Sequence, residues 1–127
     1  VHRTIMMVEN DPGTQALIKR ALQPLGCHLV VAQNGPEALK RLRQTIPNLF
    51  IVDLGLPQMD GWEFIQKLKD DSGFGAIPVI VLSARGGFWD KVVTSRAMKV
   101  RAYLKKPFDP DELRDAVRKA LRIKDKG

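Results

Sequence analysis

Short apolar runs and amphipathic stretches alternate along the whole chain. Thr4 to Val8, His28 to Ala32, Leu49 to Asp53, Ile77 to Leu82 and Ala102 to Leu104 are the apolar runs. Runs of this length with little polar alternation predict strands buried on both faces, as in a parallel sheet. Between them the spacing turns helical. Asp11 is a natural N-cap with Pro12 in the first turn, and Ala16, Leu17, Ala21, Leu22 and Leu25 give one apolar face that Pro24 and Gly26 end. Asn34-Gly35-Pro36 leads into a helix over 37–44 with Ala38, Leu39 and Leu42 inward, and Asp60-Gly61 opens one carrying Trp62, Phe64, Ile65 and Leu68. A weaker helix is predicted over 88–98. A last one over 109–122 buries Leu113, Val117, Ala120 and Leu121, and the tail from Lys124 frays. Five strands alternating with five helices predict an α/β, doubly wound five-stranded parallel sheet with right-handed crossovers, in one domain over 1–127 with its core at about 3–123.

Composition changes this picture in two places. Cys27 is the only cysteine, which rules out an intrachain disulfide and makes a small core residue of it. With no membrane-length run and no charged-then-apolar leader, a cytoplasmic domain is expected. The net charge of +7 is unevenly placed: residues 1–84 carry eight basic and eight acidic side chains, and residues 85–127 carry thirteen and six. A basic face in the last third is open to three readings, a solvated helix surface, a site for an acidic partner, or a nucleic-acid contact.

The candidate chemistry sits where strands end. Asp53 closes the most apolar run, and that segment alone leaves it either a loop cap or a site residue. Glu9-Asn10, Ser83 and Lys106 also follow strands, so all four groups fall at one edge of the sheet. Carboxylates gathered there repel one another and either raise a pKa or recruit a hard cation, with Mg²⁺ the usual choice where oxygen ligands meet a phosphate. A nearby lysine and hydroxyl can neutralise and orient phosphoryl oxygens, so the set reads as a carboxylate that accepts a phosphoryl group.

These residues resemble the receiver domain of two-component response regulators, a flavodoxin-like fold of chemotaxis-regulator type. Val8-Glu9-Asn10-Asp11-Pro12 matches the acidic pair, Val52-Asp53-Leu54 with Leu56-Pro57-Gln58-Met59-Asp60-Gly61 the acceptor strand and loop, Val81-Leu82-Ser83-Ala84 the hydroxyl strand, and Tyr103-Leu104-Lys105-Lys106-Pro107-Phe108 the lysine strand. The resemblance implies that Asp53 accepts phosphate from a histidine kinase, a phosphotransfer protein or a small donor. It makes Ser83 the switch hydroxyl, Tyr103 the aromatic that changes rotamer with it, and Lys106 the phosphate's partner ahead of a cis proline. Mg²⁺ would be held by Glu9, Asn10, Asp53 and the Gly55 carbonyl. Lys105, one residue earlier, points to the opposite face. By the same resemblance, Arg85 and Gly55 would occupy positions that tune hydrolysis of the acyl phosphate.

Where family members carry a metal-ligating aspartate, this chain has Asn10, which removes one of three negative charges and weakens the expected Mg²⁺ site. Two readings follow. One is a phosphorylation-controlled signalling domain, not an enzyme in the ordinary sense, whose output surface is the helix over 88–98, the last strand and the last helix. That surface would offer Lys91, Arg96, Lys99, Arg101, Lys105, Lys119 and Arg122 to an acidic partner or a second copy. The other is a degenerate receiver that binds partners without phosphorylation. A haloacid-dehalogenase-type phosphatase wants a second aspartate where Gly55 stands, and no helix-turn-helix suggests nucleic-acid binding.

Overall fold

The computed structural model describes residues 3–56, 58–71, 73–84 and 100–123. Strands β1 (Thr4–Val8), β2 (His28–Ala32), β3 (Leu49–Asp53), β4 (Val79–Ser83) and β5 (Ala102–Lys105) form one parallel sheet in the order β2-β1-β3-β4-β5. Helices α1 (Pro12–Leu22), α2 (Gly35–Arg41), α3 (Gly61–Asp70) and α4 (Pro110–Leu121) connect or follow them, and a 3₁₀ turn, Gln23–Leu25, extends α1. The helix expected over 88–98 lies outside the described residues, as do Gly86, Gly87 and Trp89. Among the described residues no helix is long and apolar enough to cross a membrane.

Strand alternation builds two cores from one sheet. Met6, Val8, Phe50, Val52, Val79 and Val81 face α2 and α3, meeting Ala38, Leu42, Phe64, Ile65 and Leu68. The intervening residues Ile5, Met7, Leu49, Ile51, Ile80, Leu82 and Leu104 face α1 and α4, meeting Ile18, Ala21, Leu22, Leu113, Val117 and Ala120. Phe50 and Phe64 close the first core edge to face, with ring centroids 5.8 Å apart at 74°. Every strand residue from Leu49 to Asp53 is buried, which is why its sequence shows a run and no alternation.

Caps set the helix ends as their residue types predict. Asp11, Asn34, Asp60 and Asp109 each accept a hydrogen bond from a backbone N–H in the first turn, at 2.8, 2.8, 2.8 and 2.9 Å, each worth about 1 kcal/mol. Gly26, at φ 67°, and Arg122, at φ 56°, turn the chain out of the 3₁₀ turn and α4 in the left-handed region. Arg114 of α4 donates from Nε to the Ala21 carbonyl at 2.8 Å, tying α4 to the end of α1.

Several boundaries and one face differ from expectation. Strand β4 starts at Val79 because Pro78 has no N–H for the ladder and contributes only its carbonyl, to Phe50. Helix α2 runs 35–41, since Asn34 caps it earlier and residues 43 and 44 bond three residues back, tightening into a turn. Strand β5 reaches Lys105, which pairs with Ser83. On α1, Ile18 is buried alongside Ala21 and Leu22, and Ala16 is exposed. Ile18 lies three and four residues before Ala21 and Leu22, so it shares their stripe, whereas Ala16 is five and six residues away and falls off it.

The order of strands reverses between β1 and β3, so the loops leaving their carboxyl ends part to opposite faces and open a crevice there. Gly61 holds the far side of that crevice together. A Cβ on Gly61 would lie 2.6 Å from Leu54 Cα and 2.7 Å from the Asp53 carbonyl oxygen, both backbone atoms that cannot swing aside. Gly61→Ala is therefore expected to cost about 1–3 kcal/mol in urea unfolding. A midpoint equal to that of the parent chain would show that α3 docks more loosely than the distances state.

Candidate functional site

Glu9, Asp53 and Lys106 meet in the crevice between β1 and β3. Glu9 follows Met7, and Asp53 follows Ile51, both on the side facing α1 and α4; Lys106 follows Leu104 on the same side. Period-2 alternation thus puts all three side chains on one face and turns Lys105 away, where it is exposed. Burial is deep for charged groups: Glu9 is 1% exposed and Asp53 9%.

Each carboxylate has one oxygen on a backbone N–H and the other near the lysine. Glu9 Oε2 accepts from the Asp11 N–H at 3.0 Å, and Asp53 Oδ1 accepts from the Gly55 N–H at 3.1 Å. Lys106 Nζ lies 2.8 Å from Glu9 Oε1 and 3.2 Å from Asp53 Oδ2. The Asp53 contact is a hydrogen bond. The Glu9 contact is an ion pair that falls short of hydrogen-bond alignment, and Glu9 Oε1, fully buried, has no aligned partner among the described residues. The ladder carries the lysine into place, since the Lys106 N–H bonds the Ser83 carbonyl at 2.8 Å, and the Lys106-Pro107 bond is cis, as the resemblance implied.

The electrostatics follow. Burial pushes the Glu9 carboxyl above the ordinary carboxylate range and the charge of Asp53 adds to this, outweighing Lys106 and the Asp11 N–H. Lys106 is pushed down by its burial, but the contact with Glu9 and then the charge of Asp53 more than offset this, and its pKa ends above that of a free lysine. Asp11 does not join them. Its carboxylate takes the N–H and hydroxyl of Thr14, both at 2.8 Å, and those bonds hold its pKa down.

The other predicted residues are placed as follows. Asn10 is exposed and Gly55 is exposed next to Asp53. Ser83 is buried at the end of β4, one place beyond Leu82, the register partner of Asp53. Tyr103 is half-buried against the core facing α2 and α3, the side to which Ser83 also belongs by alternation. Arg101 and Lys105 are exposed, whereas Lys91, Arg96 and Lys99 lie outside the described residues. The surface beside β5 is more mixed than the charge count suggested, because Asp109, Asp111, Glu112 and Asp115 join Arg101 and Lys119 around an open groove of about 620 Å³ between β5 and α4. Sequence reasoning missed Gln15, whose Nε2 donates to the Glu9 carbonyl at 2.6 Å and reaches Gln33 Oε1 at 3.3 Å. Nothing in the local sequence marks a glutamine one turn into a helix for that contact. Among the described residues no three His, Cys, Asp or Glu side chains come together as a metal cluster.

A doubly wound sheet of this strand order, with two carboxylates and a lysine at its switch point, defines a flavodoxin-like domain. The model of the response regulator receiver domain matches residues 5–118, and the chain belongs to that family. It is 38% identical over 119 residues to response regulator Rre1 of Synechocystis sp., covering 93% of this chain and 51% of Rre1. It is 32% identical over 114 residues to the protein PilG of Pseudomonas aeruginosa, covering 90% of this chain and 84% of PilG. The chain therefore spans about half the length of relatives such as Rre1 and most of the length of others. Among solved structures, the receiver domain of the Francisella response regulator 1452 superposes with a TM-score of 0.85 at 26% identity, covering 95% of this chain and 98% of that one. The signal receiver domain of a signal transduction histidine kinase from Syntrophus aciditrophicus gives 0.85 at 30% identity, covering 98% and 94%.

A raised carboxyl pKa has a definite sign in stability. The folded chain binds the Glu9 proton more tightly than the unfolded chain, so stability from this group is present below its ordinary pKa of 4.5 and is lost as pH rises through the folded value. In urea unfolding without divalent cations, the parent chain should lose stability relative to Glu9→Gln as pH is raised from 4.5 toward neutrality. A difference that stays constant or moves the other way would show that Lys106, not burial, dominates.

Proposed function

We propose that Asp53 is the phosphoacceptor of this receiver and that its phosphorylation controls a binding surface. The observation that carries the reading is the placement of Lys106 Nζ 3.2 Å from Asp53 Oδ2 in the crevice between β1 and β3. An Asp53 oxygen attacks phosphorus, the donor's P–N or P–O bond breaks, and an acyl phosphate forms on the carboxylate. Lys106 is at hand to neutralise the added phosphoryl oxygens, and Ser83 ends the adjacent strand to receive one by its hydroxyl. The donor is a histidine kinase or phosphotransfer protein, which fits a cytoplasmic domain that assists its own phosphorylation and is not otherwise an enzyme.

The donor set suits Mg²⁺. Glu9 Oε1 is a buried anionic oxygen without an aligned hydrogen bond, Asp53 supplies a second carboxylate, and both are hard oxygen donors. Glu9 and Asp53, with the Asn10 amide and the Gly55 carbonyl, would hold the ion, which screens charge between the carboxylate and the incoming phosphoryl oxygens. Ser83 and Tyr103, on the sheet face opposite Glu9 and Asp53, would relay occupancy of the site to β5 and its neighbours, where Arg101 and Lys105 are exposed. There an acidic partner or a second copy would dock, with nucleic acid not needed by this domain.

A second reading, a receiver that binds its partner without phosphorylation, is favoured by Asn10, which leaves the site with two carboxylates. Intact-mass spectrometry after incubation with acetyl phosphate and Mg²⁺ separates the two. One phosphoryl group should be gained by the parent chain and none by Asp53→Asn, with faster labelling of Asn10→Asp. An unlabelled parent beside a labelled Asn10→Asp variant would establish the second reading.

A further inference from the structure

We infer that the free edge of β2, at the end of the sheet remote from β5, docks an acidic segment of a partner protein that adds to the sheet as a further strand. The site uses none of Glu9, Asp53 and Lys106 and stands apart from the surface beside β5.

The strand order leaves β2 paired with β1 alone among the described residues. The His28 N–H bonds the Arg3 carbonyl at 2.8 Å, and the Ala32 carbonyl accepts from the Glu9 N–H at 3.0 Å. By alternation along a parallel ladder, His28, Val30 and Ala32 turn their N–H and C=O groups toward β1, and Leu29 and Val31 turn theirs outward. Outward donors and acceptors at strand spacing are what another strand satisfies. The side chains along this edge are apolar and half-buried: Val30 borders the core under α2 and α3, and Leu29 and Val31 border the core under α1 and α4. From Leu29 to Ala32 the strand carries no charge of its own to blunt the edge.

The cations stand beside the edge instead. Where α1 ends against the start of β2, a groove of about 410 Å³ is lined by Lys19, Arg20, His28 and Leu29, with the buried Leu22 and no carboxylate. Lys19 and Arg20 are exposed and hold no ion pair among the described residues. These charges select the occupant. A second copy of this chain would bring the same cations to the same edge and be repelled, whereas a strand bearing carboxylates is drawn in. A nucleic-acid backbone would satisfy Lys19 and Arg20, but its phosphate oxygens only accept, so the outward carbonyls of Leu29 and Val31 would stay unmet. A polypeptide backbone supplies both donor and acceptor. The groove opens at the amino end of the strands, since His28 pairs with Thr4 at the start of β1, so it lies at the opposite end of the sheet from Asp53.

The probe is a capped peptide of alternating glutamate and valine, about eight residues long to match β2 and its flanks. It is titrated into the whole chain at low ionic strength and followed by residue-resolved amide hydrogen exchange. Saturable binding should slow exchange at Leu29 and Val31 about tenfold or more and leave Val30, whose N–H faces β1, little changed. Reversing both charges, Lys19→Glu with Arg20→Glu, should weaken the peptide about tenfold or more, in a variant checked for folding by thermal unfolding. N-methylation of alternate peptide residues, in either set, keeps the charge, removes the backbone donors and should weaken it as much. Equal binding of a lysine–valine peptide would overturn the inference, as would binding that leaves Leu29 and Val31 unprotected, or no saturable binding at millimolar peptide. Tighter binding of a single-stranded oligonucleotide than of the acidic peptide would also overturn it, in favour of nucleic acid. No readout passes through Asp53, so this result and its labelling by acetyl phosphate can fail separately.

Discussion

One ammonium group makes the centre of this molecule tenable. Two carboxylates with almost no access to water stand at the carboxyl edge of the sheet, and an unpaired buried charge is among the costliest things a fold can hold. Lys106 meets both. The arrangement depends on long-range geometry, since Lys106 reaches Asp53 across 53 positions of sequence and does so only because β5 runs parallel to β4, with Ser83 opposite Lys105. On the proposed reading the same lysine would also neutralise a phosphoryl group carried by Asp53.

The sheet serves the site by dividing its residues into two sets. Alternation sends Glu9, Asp53 and Lys106 toward α1 and α4, and Ser83 and Tyr103 toward the other face. The two sets therefore share one edge while packing against different helices. Helix α4 is anchored to α1 by Arg114 on the Ala21 carbonyl, which steadies the face that holds the lysine.

The surface beside β5 shows the limit of reasoning from net charge. The chain's excess of +7 falls after residue 84, yet α4 opens with Asp111 and Glu112 and pairs Asp111 with Arg114 and Asp115 with Arg118 along its own length. Exposed pairs of this kind are worth little to stability. Asp111 and Asp115 of these pairs line the groove with Asp109 and Glu112, so carboxylates stand there beside Arg101 and Lys119.

Much of the fold was legible in the chain. Unbroken apolar runs suit the strands of a covered parallel sheet, and β1, β2 and β3 fall on the residues those runs mark. Asp11 and Asp60 announced where α1 and α3 begin, because such side chains bond the first-turn N–H groups wherever they stand. That four strand ends carry Glu9, Asp53, Ser83 and Lys106 was likewise visible, and so was the cap role of Asp11, since both rest on local spacing. What only the tertiary structure decided is which oxygen meets which cation. The contact of Lys106 with Glu9, the Gln15 bond to the Glu9 carbonyl and the burial of Ile18 in place of Ala16 are set by register, helix rotation and side-chain reach. These are distances between segments remote in sequence, and local pattern carries no information about them.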